Sequence, residues 1–322
     1  MDSLFLYGIL FLTHMKMYTS ENNWYYWQYA KPFDRQTGNL PFYTQFGRTS
    51  AKVKSFKQEL LGAARSTLDH VAGQLVVLFS GGVDSEVMLR SLLAVGANPK
   101  VIIARYENDY NIYDVSYAVT ICNILDIRYD IVDINLAKFY ENDAEKMSEL
   151  SQIDRPRALP YCKLLEMIDG FPVMGASDLS PYRINNDYSR KGTWMMRCWE
   201  HDIGWSKFLL AIKKPGIAEW YKWTPGLVIS YMNTHWFHNL VSDKYYGKLG
   251  SNSTKIVGYK EAFSDLMPRQ KKTGFENIDN LMNEFETFLQ KKYNGLPYRQ
   301  YVDRTVDDLY TDLTGKKFVN IY

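Results

Sequence analysis

The sequence predicts an α/β fold, a parallel sheet flanked by helices, with a small N-terminal extension and a mostly helical C-terminal part. Three observations carry that expectation. Short apolar runs of strand length recur from Leu75 to Phe79, Lys100 to Tyr106, Arg128 to Ile134 and Phe171 to Met174. Helical spacing fills the gaps between them. The runs read as apolar on both faces, as strands of a parallel sheet covered on both sides do.

The first run leads into Ser80-Gly81-Gly82-Val83-Asp84-Ser85, after which Val83/Val87, Met88/Leu92 and Leu89/Leu93 recur at helical spacing. This is a strand, a tight loop, then a helix beginning at about Ser85. Gly96 and Pro99 close that helix, and Lys100 to Tyr106 supplies the second strand. Asn111 is placed to cap the next helix, whose Val115, Ala118, Val119, Cys122 and Leu125 share a face. From Ala137 to Ile168 the pattern is mostly helical, broken near Pro156 and Pro160, and the fourth strand enters Gly175-Ala176-Ser177-Asp178. Upstream, an amphipathic helix from about Ala51 to Val71 follows the aromatic cluster Trp24-Tyr25-Tyr26-Trp27. After about Arg183 the alternation gives way to Trp- and Tyr-rich helical patterns, including Gly216 to His238 and Asn277 to Tyr293. The resulting division is 1–70, 71–185 and 186–322.

With 322 residues and 46% hydrophobic content, the chain can bury one large core or two modest ones. Its 38 basic and 36 acidic residues nearly cancel, so no global field points to nucleic acid or membrane. Cys122, Cys162 and Cys198 form no C-x-x-C pair and fit free thiols in a reducing, cytoplasmic setting. The apolar run Leu4 to Leu12 is flanked by Asp2 and lacks a cleavage pattern. It reads as a short buried strand, or as an extension upstream of a start at Met15 or Met17.

Gly81 and Gly82 let the backbone turn with its N–H groups inward, and the helix that follows adds the positive end of its dipole. The hydroxyls of Ser80 and Ser85 supply further donors to this anion cradle. An aspartate suits such a site when a cation lies between it and the phosphates, so Asp84 points to magnesium pyrophosphate. The Walker lysine pattern is absent.

Leu78 to Ser85 resembles the signature of the PP-loop, or N-type ATP pyrophosphatase, superfamily. The resemblance implies an adenine nucleotide α-hydrolase-like, Rossmann-like fold that binds ATP and Mg2+, adenylates a substrate oxygen and releases pyrophosphate. An attacking nitrogen or sulfur then displaces AMP. Met174 to Asp178 and Phe263 to Phe275 are similar to the acidic loop and late lysine segment of asparagine synthetase and β-lactam synthetase. That likeness makes Asp84 and Asp178 metal ligands, and Asp84, Lys271 and Arg269 the catalytic set. The nucleotide-binding set is Phe79, Ser80, Gly81, Gly82, Val83, Asp84, Ser85, Arg105, Gly175 and Lys272.

Departures from the branch narrow the expectation. The chain begins Met1-Asp2-Ser3, without the nucleophilic cysteine of glutamine-dependent relatives, so free ammonia or an amine is the expected donor to a small-molecule acceptor. Gly175 stands where the branch places a glutamate, and Leu179 replaces an acidic residue. A base would then come from Glu200, Glu261 or a tyrosine, or the nucleophile needs none. Two rival readings stay open: a nucleobase, tRNA or DNA modifier using the aromatic tail as a platform, and an ATP-binding regulator with reduced turnover. His235 and His238 lack acidic or cysteine partners for a metal, and the tail tryptophans suit packing better than base stacking. The pairs Lys213-Lys214, Lys271-Lys272 and Lys291-Lys292 could meet phosphates in the nucleic-acid reading.

Overall fold

The computed structural model describes residues 25–29, 42–153, 155–176, 181–183, 194–196, 203–242, 251–267, 278–292 and 304–319. Leu4 to Leu12, Met15, Met17, Trp24, Cys198 and Trp199 lie outside them.

Two strands, Tyr25–Tyr29 (β1) and Phe42–Phe46 (β2), pair antiparallel. The helix Phe56–His70 (α1) follows, opened by a reciprocal capping box between Ser55 and Gln58. This cap explains why the helix starts later than the apolar pattern, which reaches back to Ala51.

The central sheet consists of Leu75–Leu78 (β3), Lys100–Tyr106 (β4), Tyr129–Ile134 (β5) and Phe171–Met174 (β6), parallel and in the order β5-β4-β3-β6. Counted from β3, this is the 3-2-1-4 order of a doubly wound, Rossmann-like unit. Side chains alternate between two apolar layers. Leu75 and Val77 join one layer, and Val76 and Leu78 the other. The first layer is covered by α1, Val83–Ala94 (α2) and Ile112–Ile124 (α3). Leu136–Asn142 (α4), Ala144–Ser151 (α5), Pro160–Met167 (α6) and Gly204–Ala211 (α7) cover the second. The C-terminal part contributes to both: Pro225–Met232 (α8), His235–Val241 (α9) and Val306–Thr314 (α12) join the first layer, and Asp279–Lys292 (α11) joins the second. Between α9 and α11 lies Ser251–Lys260 (α10).

Two expectations need correction. The β5 run is not apolar on both faces: Asp130 and Asp133 lie exposed on it and pair with Lys100 and Arg105 of β4 at 3.0 and 2.6 Å. Charges of this kind suit an edge strand, which they protect from pairing with another chain. Asn111 occupies the cap position of α3 but makes no capping bond. Its amide instead accepts from the Tyr106 N–H and donates to the Ala104 carbonyl, both at 2.8 Å, binding the helix start to β4. The C-terminal part is mostly helical, as expected, and Pro181–Arg183 (β7), Trp194–Met196 (β8) and Arg304–Thr305 (β9) add an antiparallel sheet.

The tryptophans mostly pack. Trp220 and Trp223 are buried and donate their indole N–H groups to Thr67 and Ser66 of α1, at 3.1 and 3.2 Å. Among the described residues no helix is long and apolar enough to cross a membrane. Asn111→Ala is expected to lower stability by about 1 to 3 kcal/mol, because two buried main-chain groups lose their partners, and urea unfolding measures it.

Candidate phosphate-binding site

β3 and β6 lie side by side where the strand order reverses, and ligands of such sheets bind beyond the carboxyl ends of the strands at that point. The loop from Ser80 to Ser85 and the residues following β6 meet there. Gly81 has φ +76°, and a Cβ added to it would lie 2.3 Å from the Asp114 carbonyl of α3. A Cβ at Gly175 would lie 2.8 Å from the Ser85 Cα and 3.0 Å from its nitrogen. Both positions therefore exclude side chains, Gly81 also by its left-handed backbone.

Between these contacts the loop's polar groups bond to one another. The Ser80 and Ser85 hydroxyls are 3.1 Å apart, Ser85 Oγ donates to the Gly82 carbonyl at 2.8 Å, and the Gly82 N–H donates to Ser80 Oγ. No side chain caps α2, whose first-turn N–H groups have no partner within the helix. α2 starts at Val83, earlier than the sequence pattern indicates, so Asp84 and Ser85 sit in that first turn.

Asp84 is gripped by residues far along the chain. The Tyr259 hydroxyl donates to its Oδ1 at 2.5 Å, and Lys255 Nζ lies 3.6 Å from its Oδ2. The Tyr221 hydroxyl donates to its carbonyl oxygen at 2.8 Å. Tyr221, Tyr231 and Tyr259 are buried and lie against one another, with Phe56 of α1 packed on Tyr231 and Tyr259. Burial, reinforced by the Asp84 charge, pushes all three phenols well above the ordinary tyrosine value, so they act as protonated groups. Beside the loop, buried Glu86 pairs with Arg90 at 2.7 Å, and Arg90 reaches Asp265 at 2.9 Å. On the other side of Gly175, a main-chain bridge joins it to Glu219, whose buried carboxylate accepts from Ser206 and pairs with buried Lys222.

Of the residues singled out in the sequence, the structure brings together Ser80, Gly81, Gly82, Asp84, Ser85 and Gly175. Phe79 and Val83 flank the loop; Phe79 is buried in the core and Val83 packs against it. Arg105 makes two hydrogen bonds to exposed Asp133, at 2.6 and 2.9 Å. Asp178, Leu179, Glu200, Arg269, Lys271 and Lys272 lie outside the described residues. Glu261 accepts from the Trp236 N–H at the start of α9. His238 is buried against Phe318 while His235 is exposed. Lys214 donates to the Leu165 and Ile168 carbonyls at the end of α6, and Lys292 pairs with Glu145 and Glu149. Sequence reasoning missed Tyr221, Lys255, Tyr259 and the Glu219-Lys222 pair. The only trace of them is the four-residue spacing of Lys255 and Tyr259, which places both on one face of α10. Among the described residues no group of three or more His, Cys, Asp or Glu side chains is placed to hold a metal.

The strand order defines a Rossmann-like α/β fold with the glycine-serine loop at its switch point. No protein-family model and no curated protein matches the chain. Similar solved structures include a glutamine-dependent NAD+ synthetase from Acinetobacter baumannii in complex with ADP, 14% identical over 42% of this chain and 30% of that one, TM-score 0.28. The present chain thus spans under a third of that protein's length. NMN synthetase from Francisella tularensis is 14% identical over 74% of this chain and 92% of its own, TM-score 0.29. A predicted subunit of tRNA methyltransferase from Methanocaldococcus jannaschii is 18% identical over 62% and 93%, TM-score 0.30.

A methyl group at position 175 must displace the first turn of α2. Gly175→Ala is expected to cost about 1 to 3 kcal/mol and to weaken phosphate-ligand binding, read by thermal unfolding with and without nucleotide.

Proposed function

We propose that this chain is an ATP-dependent, AMP-forming ligase that holds the nucleotide's pyrophosphate in the loop from Ser80 to Ser85. It adenylates a small-molecule acceptor, and ammonia or an amine then displaces AMP, as in the asparagine-synthetase branch. The observation that carries the reading is the uncapped first turn of α2, with two serine hydroxyls beside it, at the switch point of the sheet. Such a donor set fits a polyanion.

Asp84 fits as a magnesium ligand, because its side chain keeps 25% exposure and Mg2+ usually takes one or two carboxylates plus phosphate oxygens and water. When bound, the ion would offset negative charge on the phosphates. Asp178 is the proposed second ligand. Lys271, with Arg269 and Lys272, is proposed to neutralise charge on the α-phosphate and the departing pyrophosphate. Residues 71–185 would form the catalytic core and 186–322 would complete it, as the reach of Tyr221, Lys255 and Tyr259 to Asp84 supports. Packed Trp220 and Trp223 favour a small-molecule acceptor over a nucleic acid read by stacking.

The test is exchange of labelled pyrophosphate into ATP across a panel of carboxylate acceptors. Wild type should exchange with at least one of them, and Asp84→Asn should lose roughly 100-fold or more of the rate. An Asp84→Asn protein exchanging as fast as wild type would overturn the assignment.

A further inference from the structure

The cation beside Asp84 is part of the protein. Lys255 is buried, with 9% of its side chain exposed, and its ammonium lies 3.6 Å from Asp84 Oδ2. The other carboxylate oxygen is taken by the Tyr259 hydroxyl, one turn further along the same helix. Behind them stand the rings of Tyr221, Tyr231 and Tyr259, so the pair lies against a wall of low polarity, where charge attracts charge more strongly than in water. A long lysine stem lets its head move between neighbouring acceptors, whereas a planar guanidinium holds fixed geometry. Asp84 also belongs to the first turn of α2, so its partner ammonium sits beside the N–H and hydroxyl donors of the loop.

We propose that Lys255 is a built-in counter-ion for the phosphate site: it neutralises Asp84 in the empty protein and turns to the nucleotide's phosphates when they arrive. The inference rests on the ATP reading of the same site. It has two consequences. Nucleotide binds without divalent metal, because the lysine removes the repulsion between Asp84 and the phosphates. A divalent ion at Asp84 would do the same neutralising work, so the lysine matters most to nucleotide binding when metal is absent.

The test measures ATP affinity by calorimetry in excess EDTA and in excess Mg2+, for wild type, Lys255→Met, Lys255→Arg and Lys260→Met. Lys260 lies exposed on the same helix and controls for loss of charge. Wild type should bind ATP in EDTA. Lys255→Met should lose about ten-fold or more there, and Mg2+ should recover most of the loss. Lys255→Arg should fall between them, and Lys260→Met should match wild type. Equal affinity of wild type and Lys255→Met in EDTA overturns the inference, as does an equal loss in both conditions, which marks a structural lysine. Binding by wild type only with Mg2+ overturns it too and leaves the ATP site standing. Absence of ATP binding in every condition removes the ATP site itself. Thermal unfolding of each variant without nucleotide separates misfolding from altered binding, and if Lys255→Met is unfolded, the Lys255→Arg comparison decides by the same criteria.

Discussion

At Gly175 the end of β6 runs so close to the first turn of α2 that a single methyl group would meet the Ser85 Cα at 2.8 Å. Gly81 makes the corresponding contact on the opposite side, against the Asp114 carbonyl of α3. Two backbone-to-backbone contacts thus clamp the loop, and neither tolerates a side chain. The clamp decides where Asp84 and Ser85 lie, and through them where the tyrosines and Lys255 of the C-terminal part can dock. A loop held by main-chain packing keeps its donors aimed without a ligand, so binding does not have to meet the full cost of ordering it.

Polar groups buried beside this clamp are matched with partners. Asp84 meets a hydroxyl and an ammonium, Glu86 meets Arg90, and Glu219 meets Lys222 and Ser206. A buried carboxylate left alone would cost several kcal/mol; Glu86 and Glu219 find their cations within four residues, whereas Asp84 gains its partners only once the C-terminal part has folded onto it. The C-terminal part is therefore more than a cover. It supplies the counter-charge and the hydroxyl that Asp84 meets in the first turn of α2, and it couples that arrangement to completion of the fold.

Much of the sheet was legible because β3, β4 and β6 are continuous apolar runs punctuated by glycine and proline. Lys100–Tyr106 and Phe171–Met174 agree with the sequence reading to the residue. The edge strand β5 was harder, since its aspartates answer to Lys100 and Arg105 across the ladder and not to its own pattern. Asn111 shows another limit: a residue with strong capping preference turned instead to two main-chain groups of β4. In the candidate site, the loop announced itself because its glycines and hydroxyls stand in immediate succession. Its partners did not, because Tyr221, Lys255 and Tyr259 come from 137 to 175 residues downstream, where only packing specifies which side chain meets Asp84.

Position 175 bears most directly on the chemistry. The asparagine-synthetase branch, to which the sequence bears a resemblance, carries a glutamate there, but in this fold a glutamate could not enter without pushing α2 from the loop. The glycine is thus a packing requirement as well as a missing acid. Glu219 reaches the same place through its main-chain bridge to Gly175, yet its carboxylate is already engaged by Lys222 and Ser206 and acts as a brace. Tyr221 and Tyr259 are held protonated by burial and by Asp84, so they donate and do not take up protons. With these groups committed, the proposed displacement of AMP favours a nucleophile that arrives already neutral, such as free ammonia or the unprotonated fraction of an amine, and the lone pair it needs is then set by solution pH.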